Sequence, residues 1–250
     1  MWPRPQVAAV PTFVHYIPIV TTVIALALAA SLARRYRARG GPHLLWWTIG
    51  ALTYAAGTAV EASVTVFGWQ EWLFRAWYIT GALLGGAPLA QGAAYLHVPR
   101  RVADILSVAL VATVTVAAAF VLIVPLQYEL VEPYRLTGRV MAWPWVRAFS
   151  PFINLYAFIF LVGGAAKSAV YFWRRRETRA RAEGNALIAF GALLPGIGGS
   201  FTRFGHTEVL YVTEFLGIIL IYLGYRRATR GPTAMETSTH DAPLPAPALR

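Results

Sequence analysis

Long apolar stretches separated by short polar ones repeat along almost the whole chain. A helix needs about 20 consecutive, mostly apolar residues to cross the core of a bilayer, and seven stretches have roughly that length. Backbone groups in lipid must be hydrogen-bonded within their own segment, so each stretch is predicted to be helical. The predicted fold class is therefore all-α, a polytopic membrane protein with seven transmembrane helices. The predicted spans are 13–33, 44–67, 72–97, 103–125, 149–172, 185–203 and 208–226.

Composition supports a membrane protein. Of the 250 residues, 57% are apolar and only 13% are charged, about half the charged share of an ordinary soluble domain. The net charge of +11 comes from arginines that flank the apolar stretches, so the predicted partner is the lipid bilayer and not nucleic acid. The chain has no cysteine, which excludes disulfides, thiolate metal sites and cysteine nucleophiles.

The arginines are distributed unequally between the two sides of the predicted bundle. Fourteen lie in the first, third and fifth loops and just after the last span, against six on the opposite side. Cytoplasmic loops carry the excess of positive charge, which predicts an outside N-terminus and a cytoplasmic C-terminus in the plasma (inner) membrane. The single lysine against twenty-one arginines suggests a bacterial source. Residues 1–227 are the predicted transmembrane domain, and the tail 228–250, rich in Pro, Ala and Thr, is predicted to be disordered.

Two parts of the chain resemble each other. GALTYAAG at 50–57 matches GALLPGIG at 191–198, and FGWQEWL at 67–73 matches FGHTEVL at 204–210. Tyr-Ile-Thr at 78–80 and Tyr-Val-Thr at 211–213 follow the two turns. Such a pattern indicates duplicated halves joined by a connecting helix, a 3+1+3 plan with parallel repeats. Chance similarity among frequent Gly, Ala and Leu is the competing explanation.

The 3+1+3 plan resembles that of microbial rhodopsins and of the small SWEET-type sugar transporters. The seventh span has no lysine that could form a retinal Schiff base, and PLAQ at 88–91 does not match the Pro-Gln pair of the transporters. The resemblance therefore concerns architecture alone, and no site residue is carried over from either family.

Polar and aromatic side chains recur at helical spacing in three of the spans. Residues three or four positions apart share one face of a helix, so three neighbouring stripes predict a common interior seam. The second span contributes Tyr54, Thr58, Glu61 and Thr65, the third Trp77, Gly81, Pro88, Gln91 and Tyr95, and the seventh Tyr211, Glu214, Tyr222 and Tyr225.

Glu61 and Glu214 are the deepest ionisable groups in these stripes, each about six residues, or ~9 Å, inside the end of its span. A carboxylate that faces lipid costs about 2.5 kcal/mol or more, so both are predicted to face protein or water. Arg75 and Arg203 on the adjoining helices are the predicted ionic partners. The predicted ligand-binding or ion-pair cluster consists of Glu61, Glu214, Arg75, Arg203, Tyr54, Thr58, Trp77, Tyr78, Gln91 and Tyr211.

Three functions are compatible with this cluster. The leading hypothesis is a pocket that binds a small ligand for transport or sensing, and sensing would require a partner membrane or signalling protein. The alternative is a non-catalytic structural or assembly subunit of a membrane complex, with the polar groups joining the helices. The third is an enzyme that acts on a lipid-soluble substrate, although no catalytic residue is assigned. No metal is predicted, and a haem held by His15 and His206 or by His43 and His97 is a minor possibility.

Overall fold

The computed structural model of the chain describes residues 12–132, 135–175, 179–202 and 204–229. Within these ranges the regular structure is entirely helical, which confirms the predicted all-α class. The predicted tail 228–250 lies outside the described residues except for its first two, which end the last helix.

Nine α-helices are described. They are α1 Ile17–Arg39, α2 Pro42–Phe67, α3 Glu71–Trp77, α4 Ala87–His97, α5 Arg100–Ile123, α6 Phe149–Ala157, α7 Gly164–Trp173, α8 Arg179–Thr202 and α9 Thr207–Thr229. Two π-helical segments, Tyr78–Leu83 and Phe158–Gly163, continue α3 and join α6 to α7. Short 3-10 turns precede α1 and punctuate the connection between α5 and α6.

Five helical stretches are long and apolar enough to cross a membrane: Phe13–Arg39, Arg100–Ile123, Pro144–Trp173, Arg179–Thr202 and Thr207–Thr229. The two remaining predicted spans differ for separate reasons. α2 is 26 residues long, but polar and small residues lower its mean hydropathy. The third span is not one helix, because a π-helical segment and the bend at 84–86 separate α3 from α4.

α8 and α9 pack against each other along their whole length through glycines. A Cβ added at Gly191 would lie 2.6 Å from the carbonyl oxygen of Gly217, and one added at Gly224 would lie 2.5 Å from that of Gly184. Such distances leave no room for a side chain, so the two backbones are in direct contact, as small residues permit in membrane helices.

Residues 124–148, apart from 133 and 134, fold over one end of the bundle and are here called the cap. The backbone N–H of Gln127 donates to the carbonyl oxygen of Val140 (2.8 Å), and that of Ala142 to Pro125 (2.9 Å). Five apolar side chains of the cap are buried against the helices: Val124, Leu136, Val140, Met141 and Val146. The cap is therefore a packed element that fixes one end of the bundle.

Candidate functional site

The polar stripe of α2 is buried. Tyr54, Thr58, Glu61 and Thr65 are at most 7% exposed, as expected for residues three and four positions apart on a helix that faces its neighbours. Thr58 Oγ1 lies 2.9 Å from Thr22 Oγ1 on α1. Thr65 Oγ1 donates to the backbone carbonyl of His15 at 2.9 Å. The two threonines thus hold α2 against the N-terminal helix.

Glu61 is held from a second helix by a tryptophan. Trp77 Nε1 donates a hydrogen bond to Glu61 Oε1 at 2.9 Å. Tyr54, on the same face of α2, donates through its hydroxyl to the backbone carbonyl of Glu214 at 3.0 Å. Through these two hydrogen bonds α2 contacts both α3 and α9 in the same region of the bundle.

The carboxyl groups of Glu61 and Glu214 lie close enough in this region to interact with each other. Glu61 Oε2 and Glu214 Oε2 are buried and have no hydrogen-bond partner among the described residues. No arginine or lysine in the described part of the chain forms an ion pair with either group. An ionised carboxylate can only accept hydrogen bonds, so a bond between the two groups requires a proton on one of them.

A cavity of about 810 Å³ lies beside the glutamate pair. Its walls come from α2, both π-helical segments, α6, α8, α9 and the cap. Six residues of the predicted cluster line it: Tyr54, Thr58, Glu61, Trp77, Tyr78 and Glu214. The second, third and seventh predicted spans therefore each contribute part of their stripe to one interior space.

Both π-helical segments contribute to the cavity wall. Tyr78, Gly81 and Ala82 come from the first, and Phe158 and Leu161 from the second. A π turn interrupts the regular i→i−4 bonding of a helix and occurs often at functional sites. The bend at 84–86 also lines the cavity through Gly85 and Gly86. Irregular backbone at membrane depth is tolerated where it borders a water-filled space.

Arg75 does not pair with Glu61, and that prediction is wrong. Its guanidinium pairs with Glu71 at 2.7 Å and donates to the carbonyl oxygens of Val121 and Val124 at the end of α5. An acidic residue one turn earlier on the same helix is the nearer partner. Arg75 therefore ties α3 to α5 outside the cavity.

Glu71 also links this region to the cap. Tyr128 donates to Glu71 Oε2, and hydrogen bonds from Tyr128 and then from Arg75 lower the pKa of the Glu71 carboxyl below its ordinary value. The same bond raises the pKa of the Tyr128 hydroxyl, because losing its proton would remove the donor. Glu71 is thus partly exposed to solvent, joins the cap to α3 and takes no part in the Glu61–Glu214 pair.

Three other residues of the predicted cluster have different places. Gln91 is fully buried, donates to the carbonyl oxygen of Ala103 and accepts from the hydroxyl of Tyr156, so it joins α4, α5 and α6. Tyr211 is 2% exposed and makes an edge-on contact with the ring of His15. Arg203 lies outside the described residues.

Three of the four histidines considered for haem, His15, His43 and His97, have side-chain contacts of their own. His15 packs against Tyr211, and His43 makes an edge-on contact with Trp47. His97 Nε2 lies 3.2 Å from Ser168 Oγ. Within the described ranges, no group of three or more His, Asp or Glu side chains is arranged to hold a metal ion.

Sequence reasoning missed the polar residues on the far side of the cavity. Arg147, Ser150 and Asn154 line it from the end of the cap and from α6. Ser150 donates to the carbonyl oxygen of Ala82 at 3.1 Å, and Asn154 donates to Ser150 at 3.1 Å. The spacing of four between Ser150 and Asn154 in an apolar span was the available signal.

No protein-family model matches the chain, and no curated protein is significantly similar to it.

Proposed function

We propose that this chain is a seven-span protein of the plasma membrane that binds a small ligand in the cavity beside Glu61 and Glu214, for transport or sensing. The observation that carries the proposal is the buried glutamate pair on the wall of an 810 Å³ cavity. A carboxyl pair without a cationic partner is costly inside a membrane, and a ligand that compensates it is a reason for its presence.

The cavity has the properties of a small-molecule site. Its volume falls within the roughly 300–1,000 Å³ of known ligand pockets, which combine an apolar wall with a few polar groups. Leu89, Leu161 and Leu193 supply apolar wall, and Tyr54 and Trp77 supply aromatic rings beside the carboxyl groups. These features favour an organic ligand over a simple ion.

The packing of α2 and of the interrupted third span, which consists of α3, a π-helical segment and α4, favours seven spans. α2 lies between α1 and α4, and α4 contacts α2, α5 and α6, so neither is separate from the bundle. The connections after the first, third and fifth predicted spans and the end of α9 carry fourteen of the twenty-one arginines. That distribution supports a cytoplasmic location for the end of the bundle that carries these arginines, and an outside location for the cap.

The internal repeat gains support from matching contacts. A Cβ at Gly57 would meet Gly81 and Thr80 of the next segment, and one at Gly198 would meet Thr213. Thr80 and Thr213 occupy equivalent positions in the two copies. The turn glycines Gly68 and Gly205 both have positive φ, 78° and 101°. Similar packing at equivalent positions is what a duplicated 3+1+3 bundle would produce.

Cysteine accessibility tests this proposal directly, because the natural chain has no cysteine. A thiol at Ala82, on the cavity wall, should react with a membrane-impermeant maleimide added to intact cells. The matched control is Ala112→Cys, on the exposed face of α5, which should remain unlabelled because a thiol in lipid is not ionised. Equal, negligible labelling of both variants would contradict an outward-facing cavity.

The same reagent tests the orientation. Gln127→Cys in the cap should be labelled in intact cells, and Ala38→Cys at the end of α1 only after the membrane is permeabilised. The reverse pattern would overturn the proposed orientation. An unreactive cavity in a correctly oriented protein would favour the structural or assembly subunit.

A further inference from the structure

The cavity carries charges of opposite sign that do not pair with each other. Glu61 and Glu214 lie on its α2 and α9 walls, and Arg147 lies at the cap. No carboxylate in the described part of the chain pairs with Arg147. Its side chain is half-buried, and its Cδ packs 3.3 Å from where a Cβ of Gly138 would lie. The cap thus holds this guanidinium beside the cavity.

The two charged ends have different chemistry. A glutamate pair that shares one proton carries a single negative charge. Trp77 donates to Glu61, and the less buried Glu214 borders the cavity. An ammonium group at Glu214 would gain an ionic hydrogen bond, with the rings of Trp77 and Tyr54 nearby to attract a cation. A guanidinium such as that of Arg147 binds carboxylates and phosphates through paired N–H donors.

Apolar wall separates the two ends. Leu136 of the cap and Leu210 of α9 line the cavity together with the leucines of α4 and α8. We propose that the ligand is an amphipathic zwitterion, whose ammonium group binds at Glu214 and Glu61 and whose acid group binds at Arg147. This inference rests on the proposed function, since it names the ligand class of the same cavity.

Linear ω-amino acids of four to eight carbons are suitable probes, because they vary the distance between one ammonium and one carboxylate. Thermal unfolding of the purified protein in a neutral detergent would be followed with each probe, and with the alkylamine and alkanoate of equal length. The zwitterions should raise the melting temperature by several degrees, with a maximum at one chain length. The amine and the acid should each give a smaller shift.

Two variants test which end of the cavity binds the ammonium group and which binds the acid group. Glu214→Gln should weaken binding of the best zwitterion at least tenfold and leave binding of the alkanoate unchanged. Arg147→Gln should weaken the zwitterion similarly and leave the alkylamine unchanged. The matched controls are Glu208→Gln on the exposed start of α9 and Arg101→Gln at the opposite end of the bundle, which should bind like the natural chain.

The outcomes separate this inference from the proposed function. Equal shifts with zwitterion and alkylamine, together with no effect of Arg147→Gln, would show a cation site and overturn the zwitterion. No shift with any soluble probe would also overturn it for free zwitterions, and a shift with lysophosphatidylethanolamine alone would assign the same chemistry to a lipid headgroup. In each case labelling of Ala82→Cys would still report whether the cavity is open.

Discussion

The two matching parts of this chain pack alike around their glycines and differently toward the cap. α8 and α9 form a continuous hairpin, here called the closed hairpin, in which glycines bring the backbones into contact from Gly184 to Gly198. α2 and the segment from α3 to α4 form the other, here called the open hairpin. Its backbones are equally close near Gly50, where a Cβ would lie 2.8 Å from the backbone nitrogen of Leu89. Toward the cap, however, the partner changes to a bend and a π-helical segment.

The difference shows how a cavity arises from a packed bundle. Where α8 meets α9, helix-to-helix contact excludes any other molecule. Where α2 meets α3 and the π-helical segment, the backbones approach less closely, because a Cβ at Gly57 would lie 3.3 Å from Gly81. Side-chain hydrogen bonds, among them that from Trp77 to Glu61, add to this contact. The closed hairpin contributes Glu214, and the open one contributes Glu61, so the pair lies where the two kinds of packing meet.

The largest expected effect is on the closed hairpin. Gly191→Leu forces a side chain into the backbone of Gly217 and should lower the free energy of unfolding by about 3 kcal/mol, at the upper end of overpacking costs. Unfolding by SDS titration measures this change. The control is Gly196→Leu on the same helix, where an added Cβ has no neighbour within 4 Å. If both variants lose equal stability, the backbone contact is not what holds the hairpin.

In the open hairpin, the bond between Trp77 and Glu61 should matter more than the backbone contact. Trp77→Phe removes the donor and leaves a buried carboxyl oxygen unpartnered, at a cost of about 1–3 kcal/mol. Glu61→Gln keeps an acceptor for Trp77 and can donate to Glu214, so its own effect should be smaller. In a double-mutant cycle the two changes should be non-additive, and additive effects would contradict the bond.

Gly57→Ala should have a smaller effect than Gly191→Leu. Its Cβ would lie 3.3 Å from Gly81, which belongs to a π-helical segment with room to shift toward the cavity. We expect a loss below about 1 kcal/mol, within the range of minor packing changes. The informative measurement is the labelling rate of Ala82→Cys in this background, which should change because the cavity wall moves. An unchanged rate with a large loss of stability would mean that this hairpin is as closed as the other.

The smallest effect concerns the cap and its pH dependence. Hydrogen bonds from Tyr128 and Arg75 lower the pKa of Glu71 in the folded protein from its ordinary 4.5. Its stabilising contribution is therefore present above that value and lost as the pH falls through the lower folded one. Between pH 7 and 5 Glu71 should add no pH dependence to the melting temperature, because its contribution is constant there. Below pH 4.5 the melting temperature of Glu71→Gln should fall less than that of the natural chain. Glu129→Gln is the matched control.

The convergence of Glu61 and Glu214 could be predicted because helical depth and face follow from sequence position alone. Both glutamates lie at similar distances from a turn, so they come to the same level. Glu71, four residues before Arg75, is enough to predict their ion pair, whereas equal depth in the membrane favours the wrong partner, Glu61. A π turn has no periodic signature in the sequence. The position of Arg147 depends on how the cap folds, which local patterns do not determine.

The two π-helical segments have a mechanical consequence for the cavity that they line. Each holds one residue more per turn than an α-helix, and one residue corresponds to about 100° of rotation around a helix axis. If Tyr78–Leu83 relaxed to α-helical geometry, the side chains on one side of it would swing by that angle relative to those on the other. Tyr78 would then change its orientation toward the cavity while α4 kept its packing. Such a change in the type of helix would alter one wall of the cavity and leave the backbone contact between α8 and α9 in place.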